Sequence, residues 1–154
     1  MKKYLSLLFI VISLNAYSIS KKEVYHLLIK HNVKHKSIVL KQSLLESNTY
    51  KSRICKTKHN IFGLRKGNKY RYFKSYEDCI IFYKHWQNKR YTTNKKSKYH
   101  KHYSKDYYQF LKNIKYATDK RYISKLKRIK VTKQIKIWED ECNRGEGNQI
   151  SCRI

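Results

Sequence analysis

The sequence predicts a mostly helical domain into which one small β-hairpin is inserted. Apolar residues recur three or four positions apart in several segments, as on one face of a helix, and a single segment holds a Gly-Asn turn between two runs of β-forming residues. The chain of 154 residues has room for one compact domain. Its hydrophobic fraction of 40% excludes a disordered polycation, despite a formal charge of +27.

Two helices are predicted before the hairpin, over residues 22–32 and 36–47. Each segment repeats apolar residues at helical spacing, so each is expected to pack one face against a core. The positions on these faces are Val24, Leu27, Leu28 and His31 in the first helix, and Ile38, Val39, Gln42 and Leu45 in the second.

The hairpin is predicted over residues 61–74, with its turn at Gly67 and Asn68. Ser75 stands three residues before Asp78, which is the spacing of a capping box, and predicts the start of the next helix. One face of that helix carries Tyr76, Cys79, Ile80, Tyr83 and Trp86.

The last part of the predicted domain is a loop followed by two helices. Residues 90–104, RYTTNKKSKYHKHYS, are basic and show no periodic pattern, which is typical of a loop. One helix is predicted from Lys105 and another after Asp119. The apolar positions of the second are Tyr122, Leu126 and Ile129.

The N-terminus has the pattern of a signal peptide. Lys2 and Lys3 precede an apolar stretch over residues 4–14 that is too short to span a bilayer, and small residues of a cleavage site follow. An uncleaved membrane anchor is the alternative. The predicted organisation is a signal peptide over 1–18, a domain over 19–138 and a polar cysteine-containing tail over 139–154. We therefore expect a secreted or periplasmic protein.

In an oxidising compartment the four cysteines are expected to form disulfides. Three pairings are possible, and their order along the chain favours Cys55 with Cys79 and Cys142 with Cys152. A zinc site is the alternative, but the chain has no CxxC spacing. Neither a metal nor a cofactor is therefore expected.

Glu46 is the candidate catalytic residue, because it ends an apolar helix in a chain with only ten acidic residues. The negative end of the helix dipole and partial burial would both raise the pKa of its carboxyl. A carboxylic acid that stays protonated near neutral pH can donate a proton to a glycosidic oxygen. The alternative is a surface glutamate paired with one of the many lysines.

Three segments with a characteristic order indicate a family. They are QSLLESNTYKSRIC, HNIFGLRKGNKYRYFKSYEDCIIFYKHWQ and DYYQFLKNIKYATDKRYISKLKRI, and together they cover residues 36–129. In these segments the chain resembles the bacterial peptidoglycan glucosaminidases, glycoside hydrolase family 73 of the lysozyme-like superfamily. The resemblance implies a lysozyme-like fold and an endo-β-N-acetylglucosaminidase that cleaves peptidoglycan glycan strands between N-acetylglucosamine and N-acetylmuramic acid.

The resemblance also implies roles for four residues. Glu46 matches the family's general acid, Asn60 and Phe62 match residues that line the substrate groove, and Tyr116 matches a tyrosine that faces the cleaved bond. Structural roles are the alternatives: Asn60 in a turn and Phe62 in the core. Asp119 is interpreted as the N-cap of the helix that follows it.

The sequence departs from many relatives in one respect, since the hairpin segment RKGNKYRYFK contains no second carboxylate. Glu77 is the candidate replacement, although it stands next to a helix cap. Otherwise the N-acetyl group of the substrate would act as the nucleophile. Loss of activity is the remaining alternative.

The net positive charge of the chain predicts that its partners are anionic. Without Lys2 and Lys3 the chain has 35 basic and ten acidic residues, a net charge of +25, which would hold a monomer on the anionic cell envelope. Nucleic acid would bind only non-specifically. A muramidase or lytic transglycosylase of the same fold is the first alternative function, and a non-catalytic basic protein that binds envelope or nucleic acid is the second.

Overall fold

Seven α-helices and one two-stranded antiparallel sheet make up the part of the chain that the structure describes, residues 18–144 of a computed structural model. The mostly helical class with a small hairpin is thus confirmed. The helices are α1 (Lys21–Lys30), α2 (Lys36–Glu46), α3 (Arg53–Lys58), α4 (Tyr76–Arg90), α5 (Tyr107–Asn113), α6 (Tyr122–Arg128) and α7 (Thr132–Asn143), with strands β1 (Arg65–Lys66) and β2 (Lys69–Tyr70) and a short 3-10 helix at His100–His102.

Side-chain caps fix the starts of several helices. Ser20 and Glu23 form a capping box at α1: the Ser20 hydroxyl accepts from the Glu23 amide at 3.1 Å, and the Glu23 carboxylate accepts from the Ser20 amide at 2.7 Å. At α4 the predicted cap is present, because the Ser75 hydroxyl accepts from the Asp78 amide at 3.0 Å. Local sequence therefore places these helix starts, as predicted for α4.

The hairpin pairs Arg65 with Tyr70 and Lys66 with Lys69, around a two-residue turn. Gly67 has a φ of +59°, a left-handed conformation that glycine adopts without steric cost. The predicted turn position is confirmed.

The core is built around α2, which packs against α1 and α6. Val39 and Leu40 of α2 are completely buried, as are residues of the surrounding helices. Among the latter are Val24 and Leu28 of α1, Ile80 and Tyr83 of α4, Phe110 of α5 and Leu126 of α6. The C-terminal end of α2 therefore lies among several helices.

Two helices differ from the prediction. The short helix α3 was not predicted, and α7 runs across the boundary set at residue 138. Beyond that boundary Glu139 accepts a hydrogen bond from the Tyr25 hydroxyl at 2.5 Å, and Glu141 forms an ion pair with Lys22 at 2.5 Å. The first residues of the predicted tail thus continue α7 and contact α1, while residues 145–154 lie outside the described range.

The predicted disulfide between Cys55 and Cys79 is not formed, because both residues are buried free thiols. The Cys55 sulfur takes part in a hydrogen bond with the Tyr76 hydroxyl. Cys79 lies against the backbone amides of Ile61 and Phe62, and burial raises the pKa of its thiol to about 12. Each sulfur thus has a partner of its own in the core. The other predicted pair, Cys142 with Cys152, includes a residue outside the described range.

The predicted signal peptide, residues 1–18, also lies outside the described residues apart from Ser18. Between residues 18 and 144, none of the helices combines the length and the apolar character needed to cross a bilayer.

Candidate active site

A cleft of about 800 Å³ opens beside the C-terminal end of α2. Its other walls are the loop before the hairpin, the hairpin itself, the second half of α4 and the segment after α5. Four residues singled out from the sequence lie in its lining: Glu46, Asn60, Phe62 and Tyr116. The fold therefore brings together residues from three separate parts of the chain.

Glu46 is the last residue of α2, and Ser47 is the C-cap. The Ser47 hydroxyl donates to the Ser43 carbonyl at 2.6 Å and accepts from the Tyr50 amide at 2.9 Å, so one side chain joins the helix to the turn after it. Residues 48–50 are all left-handed, with φ between 52° and 64°. The chain thus turns sharply just after Glu46 and leaves its side chain in the cleft wall.

Burial raises the pKa of the Glu46 carboxyl, and a hydrogen bond from the Tyr122 hydroxyl opposes the shift in part. The position at the C-terminus of α2 acts in the same direction as burial. Within residues 18–144, Glu46 forms no ion pair. The raised pKa is therefore as predicted, and the alternative of a glutamate neutralised by a lysine does not hold.

Tyr116 is placed in the cleft by the end of α5. The Tyr116 amide donates to the Leu111 carbonyl and the Lys115 amide to the Lys112 carbonyl, each at 3.0 Å, with Lys115 left-handed at φ 50°. This is a Schellman motif, which ends the helix and turns the chain. Burial, together with the nearby charge of Glu46, raises the pKa of Tyr116 well above its ordinary value.

Asn60 and Phe62 reach the cleft only in part. The Asn60 amide group donates to the carbonyls of Leu64 and Arg71 and accepts from the Leu64 amide, at 2.8 to 3.0 Å. Phe62 is 2% exposed and stacks on Tyr83, with ring centroids 4.2 Å apart. Both side chains thus line the cleft while they perform the turn and core roles that were the alternatives.

Gly63, between Phe62 and Leu64, lies beside the carboxylate of Glu46. It is left-handed at φ +61°, and a Cβ atom built on it would lie 3.5 Å from Glu46 Oε2. The positive φ therefore favours glycine at this position of the NIFG segment, and a methyl group here would be in van der Waals contact with the carboxylate.

A network of hydrogen bonds between buried side chains lies next to Glu46. Gln42, on α2, donates to the Tyr122 hydroxyl at 3.4 Å and accepts from the Tyr83 hydroxyl at 2.7 Å. The Tyr83 hydroxyl lies 3.0 Å from that of Tyr107. Since Tyr122 also bonds Glu46, the network connects the acid to α4, α5 and α6.

Glu77 lies outside the cleft. It is 2.8 Å from Lys30 Nζ and 2.6 Å from His31 Nε2, and hydrogen bonds from these two residues lower the pKa of its carboxyl. Among the described residues, Glu46 is the single carboxylate in the cleft lining. Glu77 is therefore not placed to act as a second catalytic carboxylate on a substrate in this cleft.

Asp119 also differs from its prediction. The N-cap of α6 is Arg121, and the Asp119 carboxylate accepts from the Arg121 amide at 2.8 Å and pairs with Lys125 at 2.5 Å. Asp119 thus stabilises the turn before α6 and does not line the cleft.

Sequence analysis missed the site roles of Tyr122, Trp86 and Arg90. Trp86 and Arg90 line the cleft, and Tyr122 bonds the acid. The sequence places Trp86 and Tyr122 on apolar helix faces and Arg90 at the start of the predicted loop over 90–104. Gln42 offered a usable signal, because an amide on an apolar helix face requires a buried polar partner.

No three His, Cys, Asp or Glu side chains come together as metal ligands within the described residues. The described lining of the cleft contains one half-buried acid, Glu46, with tyrosines and with aromatic and cationic side chains around it.

The sequence matches the family profile described as mannosyl-glycoprotein endo-β-N-acetylglucosaminidase over residues 21–134. This range includes every cleft residue described above. Comparison with curated proteins and comparison with solved structures gave no significant match. The family match supports a glycoside hydrolase of the peptidoglycan-cleaving type.

Proposed function

Because the chain belongs to the mannosyl-glycoprotein endo-β-N-acetylglucosaminidase family, we propose that it cleaves the β-1,4 bond between N-acetylglucosamine and N-acetylmuramic acid in peptidoglycan, with Glu46 as general acid. One observation carries the proposal: a carboxyl whose pKa is raised by burial stands in the cleft without an ion-pair partner among the described residues. Such a group retains its proton at higher pH than an exposed glutamate, so it can protonate the leaving oxygen.

In the first step Glu46 gives its proton to the glycosidic oxygen while the bond from that oxygen to the anomeric carbon breaks. The transition state develops positive charge on the sugar ring. Tyr116 stays un-ionised at any physiological pH, because its pKa lies well above the ordinary value. Its hydroxyl is therefore available as a hydrogen-bond donor to a sugar in the cleft.

The nucleophile in this proposal belongs to the substrate. A retaining enzyme with two carboxylates holds them about 5 Å apart, and an inverting enzyme holds them somewhat farther apart, but the described lining of this cleft contains only Glu46. The carbonyl oxygen of the N-acetyl group would attack the anomeric carbon and form a cyclic intermediate. Water would then open this intermediate and pass its proton to the Glu46 carboxylate, which restores the acid.

The location of the enzyme follows from the same proposal. A signal peptide over residues 1–18 would export it to the periplasm or beyond, and the net charge of +25 left after cleavage would concentrate it on the anionic envelope. Attachment of this kind is screened by salt.

The test is digestion of purified peptidoglycan, with the released fragments reduced and their ends identified by mass spectrometry. We expect reduced N-acetylglucosamine ends from the parent protein and very few from Glu46→Gln. Glu77→Gln is the matched control, since it removes an equal charge outside the cleft and should release fragments at nearly the parental rate.

The other outcomes separate the alternative functions. Reduced N-acetylmuramic acid ends would indicate a muramidase, and anhydromuramic ends a lytic transglycosylase. Binding of peptidoglycan without any new ends would indicate a non-catalytic envelope protein.

A further inference from the structure

We infer that Arg90 and Arg65 recognise the carboxylates of the peptide stems on the glycan strand, so that the cleft selects stem-bearing peptidoglycan over uncharged N-acetylglucosamine polymers. This inference rests on the proposed function and specifies its substrate.

The charges of the cleft are strongly unequal. Glu46 is the single acid in the described lining, whereas Arg65, Arg90 and Lys115 are cationic. The four ion pairs found within residues 18–144 involve none of these basic residues. Their charges are therefore not neutralised by described acids and are available to an anionic ligand.

Arginine is over-represented in this group. The whole chain has eight arginines among its 37 lysines and arginines, yet two of the three such residues in the cleft are arginine. A guanidinium group binds a carboxylate through two parallel hydrogen bonds, which an ammonium group cannot form. The presence of arginine rather than lysine therefore favours specific binding of a planar anion over non-specific attraction of any negative charge.

Arg90 is held in place by aromatic rings. Its Cζ atom lies 5.1 Å from the ring centroid of Trp86 and 5.1 Å from that of Tyr99, and the residue is half-buried. Within the described residues its guanidinium has neither a carboxylate partner nor a hydrogen-bond acceptor. Since both contacts are with aromatic rings, the N–H groups of Arg90 are left for a ligand.

Arg65 is positioned by the hairpin, where its Nη1 atom also donates to the Asn68 carbonyl at 3.5 Å. Its Cζ atom lies 4.0 Å from the ring centroid of Tyr70, and its Nη2 atom donates to the Tyr70 hydroxyl at 2.6 Å. The residue is exposed, so the hairpin presents a fixed cation at the cleft rather than a buried one.

A series of aromatic contacts connects Arg90 to Glu46. Trp86, over whose ring Arg90 lies, meets Tyr116 edge to face with ring centroids 5.5 Å apart. Tyr116 is close enough to Glu46 for the charge of the carboxylate to raise its pKa. A glycan strand that runs along the cleft from Glu46 past Tyr116 and Trp86 would bring its stem carboxylates to Arg90. Stem carboxylates are favoured over anions of a separate polymer because they are covalently joined to the cleaved chain.

The experiment compares two forms of one substrate at constant ionic strength. Soluble, uncrosslinked glycan strands with peptide stems are used as isolated and after their carboxylates have been converted to amides. Cleavage is followed as new reducing ends. We expect the parent protein to show about tenfold lower kcat/KM on the amidated strands, mainly through KM, because the charge-assisted hydrogen bonds are lost.

Arg90→Gln should lower kcat/KM about tenfold on the native strands and leave it nearly unchanged on the amidated strands. Arg128→Gln, an exposed residue of α6 outside the cleft, removes the same charge and should change neither value. Arg65→Gln lies on the exposed hairpin and serves as the second variant if Arg90→Gln does not fold. It should show the same pattern as Arg90→Gln.

Equal rates of the parent protein on the two forms would overturn the inference, and so would equal effects of Arg90→Gln and Arg128→Gln. In either case the proposed function would stand, provided that N-acetylglucosamine ends appear. If neither substrate form yields new ends, the proposed function itself fails.

Discussion

The hydroxyl of Tyr122, at the start of α6, donates a hydrogen bond to the carboxylate of Glu46, at the end of α2. This bond favours the ionised form of the acid, whereas burial favours the protonated form. The same hydroxyl accepts from Gln42, so its orientation is fixed by the buried network. Tyr122 thus partly opposes the effect of burial on the pKa of Glu46.

Replacement of Glu46 by glutamine should reduce turnover on peptidoglycan by about a hundredfold or more, because the amide cannot donate the required proton. The variant should fold, since glutamine keeps the size of the side chain. Muropeptide release and melting temperature are the measurements. Glu77→Gln should keep most activity and lose at most about 1 kcal/mol of stability, because the ion pairs it removes are partly exposed. Near-parental release by Glu46→Gln would refute the assignment.

The stability of the parent relative to Glu46→Gln should depend on pH. The pKa of Glu46 is higher in the folded state than its ordinary value of 4.5, so unfolding releases a proton above pH 4.5. The contribution of Glu46 to stability is therefore present below pH 4.5 and is lost as pH rises through the folded pKa. Melting curves from acid to neutral pH should show the variant gaining stability over the parent across this window. A constant difference at all pH values would contradict the raised pKa.

Replacement of Tyr122 by phenylalanine should move the alkaline limb of the pH–rate profile to higher pH. The lost hydrogen bond had lowered the pKa of Glu46, so the acid would keep its proton further into the alkaline range. Gln42 would also lose an acceptor, which should cost about 1 to 3 kcal/mol of stability. Tyr108→Phe, a half-buried tyrosine outside the cleft, is the control, and its profile should match the parental one.

Alanine variants of Gly63 and Gly67 distinguish the cost of backbone strain from a change in the activity of Glu46. Gly63 and Gly67 have nearly equal φ values of +61° and +59°, so an alanine at either position should cost about 1 kcal/mol. A Cβ at Gly63 would contact Glu46 Oε2 at 3.5 Å, whereas one at Gly67 would meet nothing within 4 Å. Both variants should therefore lose similar stability, and only Gly63→Ala should alter activity and its pH dependence. Equal activity in the two variants would show that contact with the acid is unimportant.

The thiols of Cys55 and Cys79 should be found reduced in the folded protein. Peptide mapping without reduction should recover both as free cysteines, and alkylation of the native protein should be slow, because burial raises the pKa of both thiols. A disulfide-linked peptide containing both residues would contradict the structure.

The sequence alone determined the features that depend on neighbours along the chain. Apolar residues at helical spacing predicted α1, α2, α4 and α6, and Gly67 with Asn68 predicted the turn of the hairpin. The position of Glu46 at a helix end and the direction of its pKa shift also followed, because both depend on the local helix and its apolar face. The family resemblance added Asn60, Phe62 and Tyr116, which the structure finds in the lining.

Only the tertiary structure decided which distant side chains meet. Tyr122 bonds Glu46 from another helix, Trp86 and Arg90 reach the cleft from α4, and Glu77 pairs with α1 away from it. The tertiary structure also leaves Cys55 and Cys79 as free thiols, although the order of the cysteines along the chain favoured a disulfide between them. The physical reason is that periodicity fixes which face of a helix is buried, whereas the packing of all helices together fixes what that face touches.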